Sequence, residues 1–321
     1  MLQMNPTPSY YSDDQLAEYL KHISLPSAVN DELSVDNAEA IIQHHITTIP
    51  FENTEMHYTI RGQIDIDPQV VYDRIVKEKK GGTICHGQHM LLLGMLLKLG
   101  YRGYNVMARM NRTGGDPNVI NLTGLEHQLI LMQIPGDENT YFVDIGIGLG
   151  VTRPVPLTVG YEFDGLAPQK YRFAQGVHPD SPLTGKEAEE WRLLTNLDVK
   201  SNPLPDPGWM TYFQFSTQPY YLKDIVDFNW LSHNRPDAVL PKKIYVFIFT
   251  GKMAGEARGV KAIFENRVMS RTAGGVMEIV KVFGSEEERI AMLKETFGIE
   301  CAADSKACIA GRPSAIIAEK E

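Results

Sequence analysis

Apolar residues recur at helical spacing through the first hundred positions and give way to shorter, strand-like runs after Tyr101. Leu16, Tyr19, Leu20 and Ile23 follow a Ser12–Gln15 pair that can cap both ends of a first turn. Ala38, Ile41 and Ile42 mark one face of a second helix from near Val35 towards Ile46. Asp67-Pro68, an N-cap followed by a first-turn proline, opens a third helix that carries Val71 and Ile75 inward. A fourth begins near Cys85, continues through the apolar run Met90 to Leu99, and stops at Gly100, a helix-ending residue. Residues 1–100 are therefore predicted to form one helical unit.

Beyond Tyr101, Y-N-V-M-A-R-M (104–110), H-Q-L-I-L-M-Q-I (127–134) and T-Y-F-V-D-I-G (140–146) read as strands. Turn chemistry lies between them at Asn111–Asn118 and Pro135–Asn139. From about Gly160 to Pro207, proline, glycine and charge point to further strands with a long excursion. K-I-Y-V-F-I-F-T (Lys243–Thr250), R-V-M-S-R and M-E-I-V-K-V-F extend the strand pattern, and a helix boxed by Ser285 and Glu288 turns Ile290, Leu293 and Phe297 inward. Gly274-Gly275 marks a turn and matches no phosphate-loop pattern. The last twenty residues, small and polar, read as a surface extension. The order is helical (1–100), then β (101–210), then mixed α/β (211–321), an α+β multidomain chain.

Composition narrows the function classes. Three packed units suit 321 residues, because single cores usually hold roughly 100–200. With 43% hydrophobic and 22% charged residues the chain is an ordinary globular protein. No apolar stretch approaches the ~18 residues of a membrane span, and the N-terminus has no basic-then-apolar leader pattern. Cys85, Cys301 and Cys308 are too few and too uneven for a disulfide framework, which fits a reducing cytoplasm. A net charge of −9 argues against nucleic acid as a partner; a polyanionic ligand would need a local cluster of donors.

Three residues carry the chemistry. Cys85 sits in G-G-T-I-C-H-G-Q-H, where a glycine turn enters a helix. A helix start offers unpaired N–H groups and the positive end of the dipole, both of which favour a thiolate. His127 follows T-G-L-E, read as a loop, and enters a strand; Asp144 leaves another in Y-F-V-D-I-G-I-G, an apolar run where a carboxylate needs a partner. A thiol nucleophile, a base and an orienting acid make a complete set for covalent catalysis. A simple hairpin centred on Asp137 would pair His127 with a residue near Ile147, three positions past Asp144, unless Gly146 and Gly148 host a bulge. His89 competes as the base: it lies four residues after Cys85 on the same helix face, but no acid stands near it in sequence. Cys85, His86 and His89 lack a further ligand at zinc-like spacing, so no metal site is expected. His44-His45 read as helix-surface residues.

Taken together, I-P-F-E-N (Ile49–Asn53), the glycine-led cysteine with L-G-Y fifteen residues on, T-G-L-E-H and Y-F-V-D-I-G-I-G resemble the arylamine N-acetyltransferases. The run C-H-G-Q-H looks most like that of members from filamentous fungi. The resemblance implies a helical bundle, a central β-barrel and a C-terminal α/β lid, with a catalytic triad of Cys85, His127 and Asp144. It also implies acetyl-CoA or a related acyl-CoA as donor, with cofactor contacts at Thr123, Gly124 and Ser216, and an arylamine or arylhydrazine as acceptor. The expected activity is ping-pong acyl transfer. A hydrolase or transglutaminase-like enzyme on the same triad, and a silent CoA- or small-molecule-binding homologue, are the alternatives. Oligomeric state has no signal in the sequence.

The chain also departs from the family pattern. Arg-Gly-Gly, one residue, then cysteine is usual; here Lys80-Gly81-Gly82 is followed by two residues. Glu52 of the P-F-E-N motif, whose usual partner is that arginine, is therefore expected to find Lys79 or Lys80. Gly87 and His89 replace the usual glutamate or glutamine and asparagine.

Overall fold

The computed structural model describes residues 3–26, 32–113, 116, 118–146, 151–196, 208–251, 258–271 and 277–316. Gly148, Ile147, Gly274-Gly275 and parts of the expected turn at 111–118 and of the excursion up to Pro207 lie outside them.

The first third is helical, as its periodicity requires. Helix α1 (Asp13–His22) is closed by the reciprocal Ser12–Gln15 capping box, and α2 (Val35–Thr48) by the Ser34 hydroxyl. A two-residue strand, β1 (Phe51–Glu52), and a single turn, α3 (Glu55–Tyr58), follow. Then α4 (Pro68–Tyr72), capped by Asp67, runs directly into a π turn, Asp73–Lys77. Helix α5 (Cys85–Leu99) ends at Gly100 in the left-handed conformation. From Cys85 to Leu96 every residue of α5 is buried. One side packs on Ile41, Ile42 and Ile75 of the neighbouring helices, and another on Ile130 and Met132 of a sheet. His44 and His45, expected on the surface, are buried: His45 bridges the Tyr19 hydroxyl and Gln88 Oε1, and burial lowers its pKa to about 4.

That sheet is antiparallel and eight-stranded. Its members are β2 (Arg102–Asn111), β3 (Leu122–Gln133), β4 (Tyr141–Val143), β5 (Val155–Pro156), β6 (Glu162–Asp164), β7 (Lys170–Val177), β8 (Glu189–Thr195) and β9 (Met210–Phe215), in the order β5-β4-β3-β2-β9-β8-β7-β6. The odd residues of β3, Leu129 and Leu131, join Phe142, Phe173, Phe213 and Phe215 in the core enclosed by the sheet, while the even ones face α5. The segment T-G-L-E, read as a loop, belongs to β3, because β2 runs on to Asn111 and pairs with it as far as Leu122.

Helix α6 (Leu222–Asn234) has no counterpart in the sequence reading. Its buried positions, Ile225 and Asn229, are one turn apart, but Val226 and Trp230 on the open side blur the stripe. Pro236 ends it by holding Arg235 extended. A second sheet, β1-β10-β11-β12-β13, contains β10 (Tyr245–Thr250), β11 (Gly259–Phe264), β12 (Arg267–Arg271) and β13 (Glu278–Val282). Strand β1 comes from the first third of the chain, so this sheet ties the two ends of the molecule together. Helix α7 (Glu286–Phe297) covers it with Leu293 and Phe297.

The C-terminal stretch is no surface extension as far as Ile316. Helix α8 (Ser305–Ile309) packs against α3; Arg312 donates to the Met56 and Thr59 carbonyls, and Ser314 Oγ meets His57 Nδ1 at 2.7 Å. Small and polar residues suit this path because the tail satisfies the backbone and side-chain polar groups of a one-turn helix.

Candidate active site

Cys85 is the first residue of α5, and its cap residue, Ile84, has no side chain able to bond the first-turn N–H groups. Those donors face the thiol's surroundings instead. The approach to the helix is held by β1: Phe51 bridges to Thr83, and Glu52 N–H donates to the Thr83 carbonyl at 3.1 Å. Gly82 lies under this crossing, where a Cβ would stand 1.7 Å from the Pro50 carbonyl oxygen, so only glycine fits.

The partner of Glu52 is neither Lys79 nor Lys80. Arg74, from the π turn, reaches it at 2.6 Å, donates to the Gly82 carbonyl at 2.9 Å and meets Glu55 at 3.3 Å. Glu52 also accepts from the Thr54 N–H and hydroxyl. The guanidinium fork the family pattern calls for is thus supplied from an earlier position in the chain. Lys80 pairs outward with Glu78. Removing one member of a buried ion pair leaves the other uncompensated, so Arg74→Leu is expected to cost about 3–5 kcal/mol in urea unfolding. An unchanged unfolding midpoint would mean that the pair does not hold the loop.

The register of β3 and β4 brings His127 to Asp144. The observed pairs, Ile130 with Val143 and Met132 with Tyr141, extrapolate to His127 opposite Gly146. Asp144 is then the diagonal neighbour on the same face, within side-chain reach without a bulge in its own strand. The irregularities fall in the β2–β3 pairing around Arg109 instead. His127 Nε2 donates to Asp144 Oδ2 at 2.9 Å. Cys85 stands on the other side of the same ring and helps to favour its charged form; with Nε2 engaged, Nδ1 is the nitrogen left for the sulfur. All three groups are more than nine-tenths buried.

Burial works against charge on both members of the pair, and pairing prevails. Burial would lower the His127 pKa, but the Asp144 charge and hydrogen bond, with Cys85 on the other side, raise it well above its ordinary value. Burial would raise Asp144, but the charge and hydrogen bond of His127 hold it below the carboxylate range. Asp144 therefore contributes stability above the ordinary carboxylate pKa of ~3.9, lost as pH falls through its depressed value. His127 contributes fully below its ordinary ~6.5, and that contribution is lost as pH rises through its raised value.

His89 has a different task from the one its spacing suggests. Its Nδ1–H donates to the Cys85 carbonyl at 2.9 Å, and Nε2 accepts the Ile145 N–H at 3.0 Å. Both nitrogens are thereby used, tying the start of α5 to the loop that carries Asp144. An acid remote in sequence stands near it in the fold: Asp144 Oδ1 is 3.4 Å from Nε2, and Gly146 N–H donates to that same oxygen at 3.0 Å. His86 is buried, faces Asn229 of α6 at 3.4 Å, and burial lowers its pKa to about 3. Among the described residues no cluster of three or more His, Cys, Asp or Glu side chains has the arrangement of a metal site.

A cavity of about 370 Å³ opens beside Cys85 and His127, large enough for a small organic molecule. Phe51, Leu125, Leu240 and Phe247 give it apolar walls; Arg112, Glu126 and Arg235, more exposed than the triad, line it towards solvent. Of the expected cofactor contacts, Gly124 lies on β3 against Arg235. The Thr123 hydroxyl is committed within the sheet, accepting from Met110 N–H and donating to the Gly124 carbonyl. Ser216 follows β9, accepts the Gln218 N–H at 3.3 Å and is not among the cavity-lining residues. The sequence reading missed Arg74, Arg112 and Arg235, each of which sits on an unremarkable stretch and becomes visible only through its partners.

Known proteins resemble this chain over most of its length. A family model described as N-acetyltransferase matches residues 34–306. N-malonyltransferase FDB2 of Fusarium pseudograminearum (strain CS3096) is 27% identical over 326 residues, covering 93% of this chain and 92% of that protein. The liver-isozyme arylamine N-acetyltransferase of Gallus gallus is 28% identical over 232 residues, covering 71% and 76%. Among solved structures, the Mycobacterium marinum arylamine N-acetyltransferase in complex with CoA superposes with a TM-score of 0.69 at 18% identity, covering 93% of this chain and 96% of that one.

Proposed function

Because the chain belongs to the arylamine N-acetyltransferase family and is an acyltransferase, we propose that it moves an acyl group from acyl-CoA to an aromatic amine or hydrazine by a ping-pong mechanism on Cys85, His127 and Asp144. The observation that carries this reading is the buried thiol–imidazole–carboxylate chain at the head of α5, open to an organic-sized cavity. In this reading the helices form a bundle that holds the nucleophile, the eight-stranded sheet a barrel that holds base and acid, and the C-terminal α/β part a lid.

The steps balance as follows. With the Cys85 proton already resting on His127, the thiolate sulfur attacks the thioester carbonyl carbon. The tetrahedral adduct collapses, the bond to the CoA sulfur breaks, and His127 returns the proton to that sulfur. The amine lone pair then attacks the acyl-cysteine; the nitrogen gives its proton to His127 and the Cys85 thiolate leaves. An arylamine is neutral near pH 7, so no strong base is needed to free its lone pair. Asp144 fixes His127 with Nδ1 towards sulfur and supports its positive charge whenever the ring is protonated.

Acetyl is one candidate acyl group; a malonyl group is the second, favoured by the relative named as an N-malonyltransferase that aligns over nearly the whole chain. Three free cysteines accord with the reducing cytoplasm read from the sequence; among the described residues no helix is long and apolar enough to cross a membrane. Mass spectrometry after brief mixing with acetyl-, propionyl- or malonyl-CoA, without acceptor, tests the reading. An acyl adduct on Cys85 supports it; sustained CoA release without acceptor marks a hydrolase, and binding with neither marks a silent homologue.

Chemical reactivity gives a second check. His127 keeps its proton above its ordinary pKa, so the imidazolium that supports a thiolate is present at pH 6 as at pH 8. Iodoacetamide inactivation is expected to change by less than about fivefold between those values, with acyl-CoA protecting. A free thiol of pKa ~8.5 would speed up about seventyfold over the same range, and that result would remove the ion pair from the mechanism.

A further inference from the structure

Among the described residues, the apolar side chains that line the cavity stand on helices and strands, except those of Ala238, Val239 and Leu240. These three lie between α6 and β10, where no ladder of backbone hydrogen bonds fixes them. Turn hydrogen bonds from Ala238 to Arg235, and from Lys242 and Lys243 to Val239, give the stretch its shape. Its inner end is attached to the molecule by two buried side chains from the first third of the chain. Asn53 Nδ2 donates to the carbonyls of Leu240 and Lys243 at 2.9 and 2.8 Å, while its Oδ1 accepts the Tyr245 N–H at 2.8 Å. His57 Nε2 stands 2.9 and 3.2 Å from the same two carbonyls. A carbonyl only accepts, so Nε2 carries the ring proton and Nδ1 is an acceptor. The Ser314 hydroxyl, 2.7 Å away, is its donor.

His57 sits on the single turn α3, and burial lowers its pKa to about 4, so the ring is neutral near pH 7. The tail holds it from behind. Arg289, itself fully buried, donates to the Ser314 carbonyl at 2.9 Å, and Arg312 bonds the Met56 and Thr59 carbonyls on either side of His57. An aromatic acceptor whose nitrogen attacks an acyl group on Cys85 has to place its ring in the cavity, against such apolar walls. Resting on the acyltransferase reading, we infer that His57, backed by Ser314, is a positioning residue for acceptor recognition: it sets the Ala238–Leu240 wall against the ring of the aromatic amine. Asn53 shares the two carbonyls, so loss of His57 shifts this wall without releasing it.

The test starts from acyl-enzyme formed with excess acyl-CoA and freed of it by rapid gel filtration. Its deacylation is followed with phenylhydrazine and with hydrazine, a nucleophile that has no ring. His57→Leu, which keeps the bulk and loses both hydrogen bonds, is expected to slow the reaction with phenylhydrazine about 10-fold, through KM rather than the maximal rate. Hydrazine should react within about twofold of wild type. Ser314→Ala, outside the cavity, should slow phenylhydrazine about threefold, the range for one neutral hydrogen bond. His57→Gln, with a donor for the carbonyls and an acceptor for Ser314, should recover most of the loss. Equal losses with the two nucleophiles, or none with either, would overturn the assignment, as would a smaller acylated fraction with KM unchanged. Should His57→Leu fail to fold, the contrast between nucleophiles in Ser314→Ala decides. A wild type that forms no acyl-enzyme from any acyl-CoA would instead overturn the acyltransferase reading itself.

Discussion

Cys85→Ala is expected to lower acyl transfer by at least about 10⁴-fold while leaving the fold intact, because no other described group could carry the acyl intermediate. The side chain removed is small, so unfolding by urea should shift little. Cys301 and Cys308 are half-buried and neither lines the cavity, Cys301 packing with the α7 and α8 cluster; alanine at either should leave turnover within twofold. Turnover by Cys85→Ala within tenfold of wild type would remove the covalent mechanism and with it the central claim.

His127→Gln and Asp144→Asn are expected to slow acyl-enzyme formation by at least about a hundredfold, the usual range for general acid–base groups. Loss of the orienting acid can reach about 10⁴, since asparagine can present an N–H to Nε2 and turn the wrong ring tautomer towards sulfur. The competing base, His89, supplies the control. Its nitrogens are used by the Cys85 carbonyl and the Ile145 N–H, so its substitution acts through placement of the thiol and Asp144. His89→Asn keeps a donor and an acceptor and should retain acylation within about tenfold, whereas His89→Leu, which has neither, should lose more and unfold at lower urea. Single-turnover acylation followed by mass spectrometry reads all four variants. Acylation by His127→Gln together with failure of His89→Asn would move the base to the helix.

How much of this could be read from the residues varied with the range of the interactions. The capping box at Ser12, the Ser285 N-cap, the Asp67-Pro68 start and the Gly100 stop are local signals, and the helices they bound formed where expected; at Ser285 the Glu288 side chain accepts from Gly284 N–H, so the expected box closes one residue early. The segment T-G-L-E was misread because its strand character comes from pairing with β2, not from its own small and polar residues. Helix α6 escaped notice because an exposed tryptophan and valine interrupt its buried stripe. Small polar residues at the C-terminus gave no hint of the groove along α3 that they fill.

By itself, the sequence determined the chemical types at the site: a cysteine at a helix start, a histidine on a strand and an aspartate at a strand end. It determined these because such positions are written in short-range periodicity and turn residues. Tertiary structure alone decided which groups meet. The β3–β4 register made Asp144 a diagonal neighbour of His127, and the packing of α5 assigned His89 to the backbone and left His127 to the sulfur. It also brought Arg74 to Glu52 across a π turn and Arg235 to Gly124 across 111 residues of chain. A charged side chain finds its partner by where burial leaves an uncompensated group, and that is a property of the packed molecule rather than of spacing along the chain.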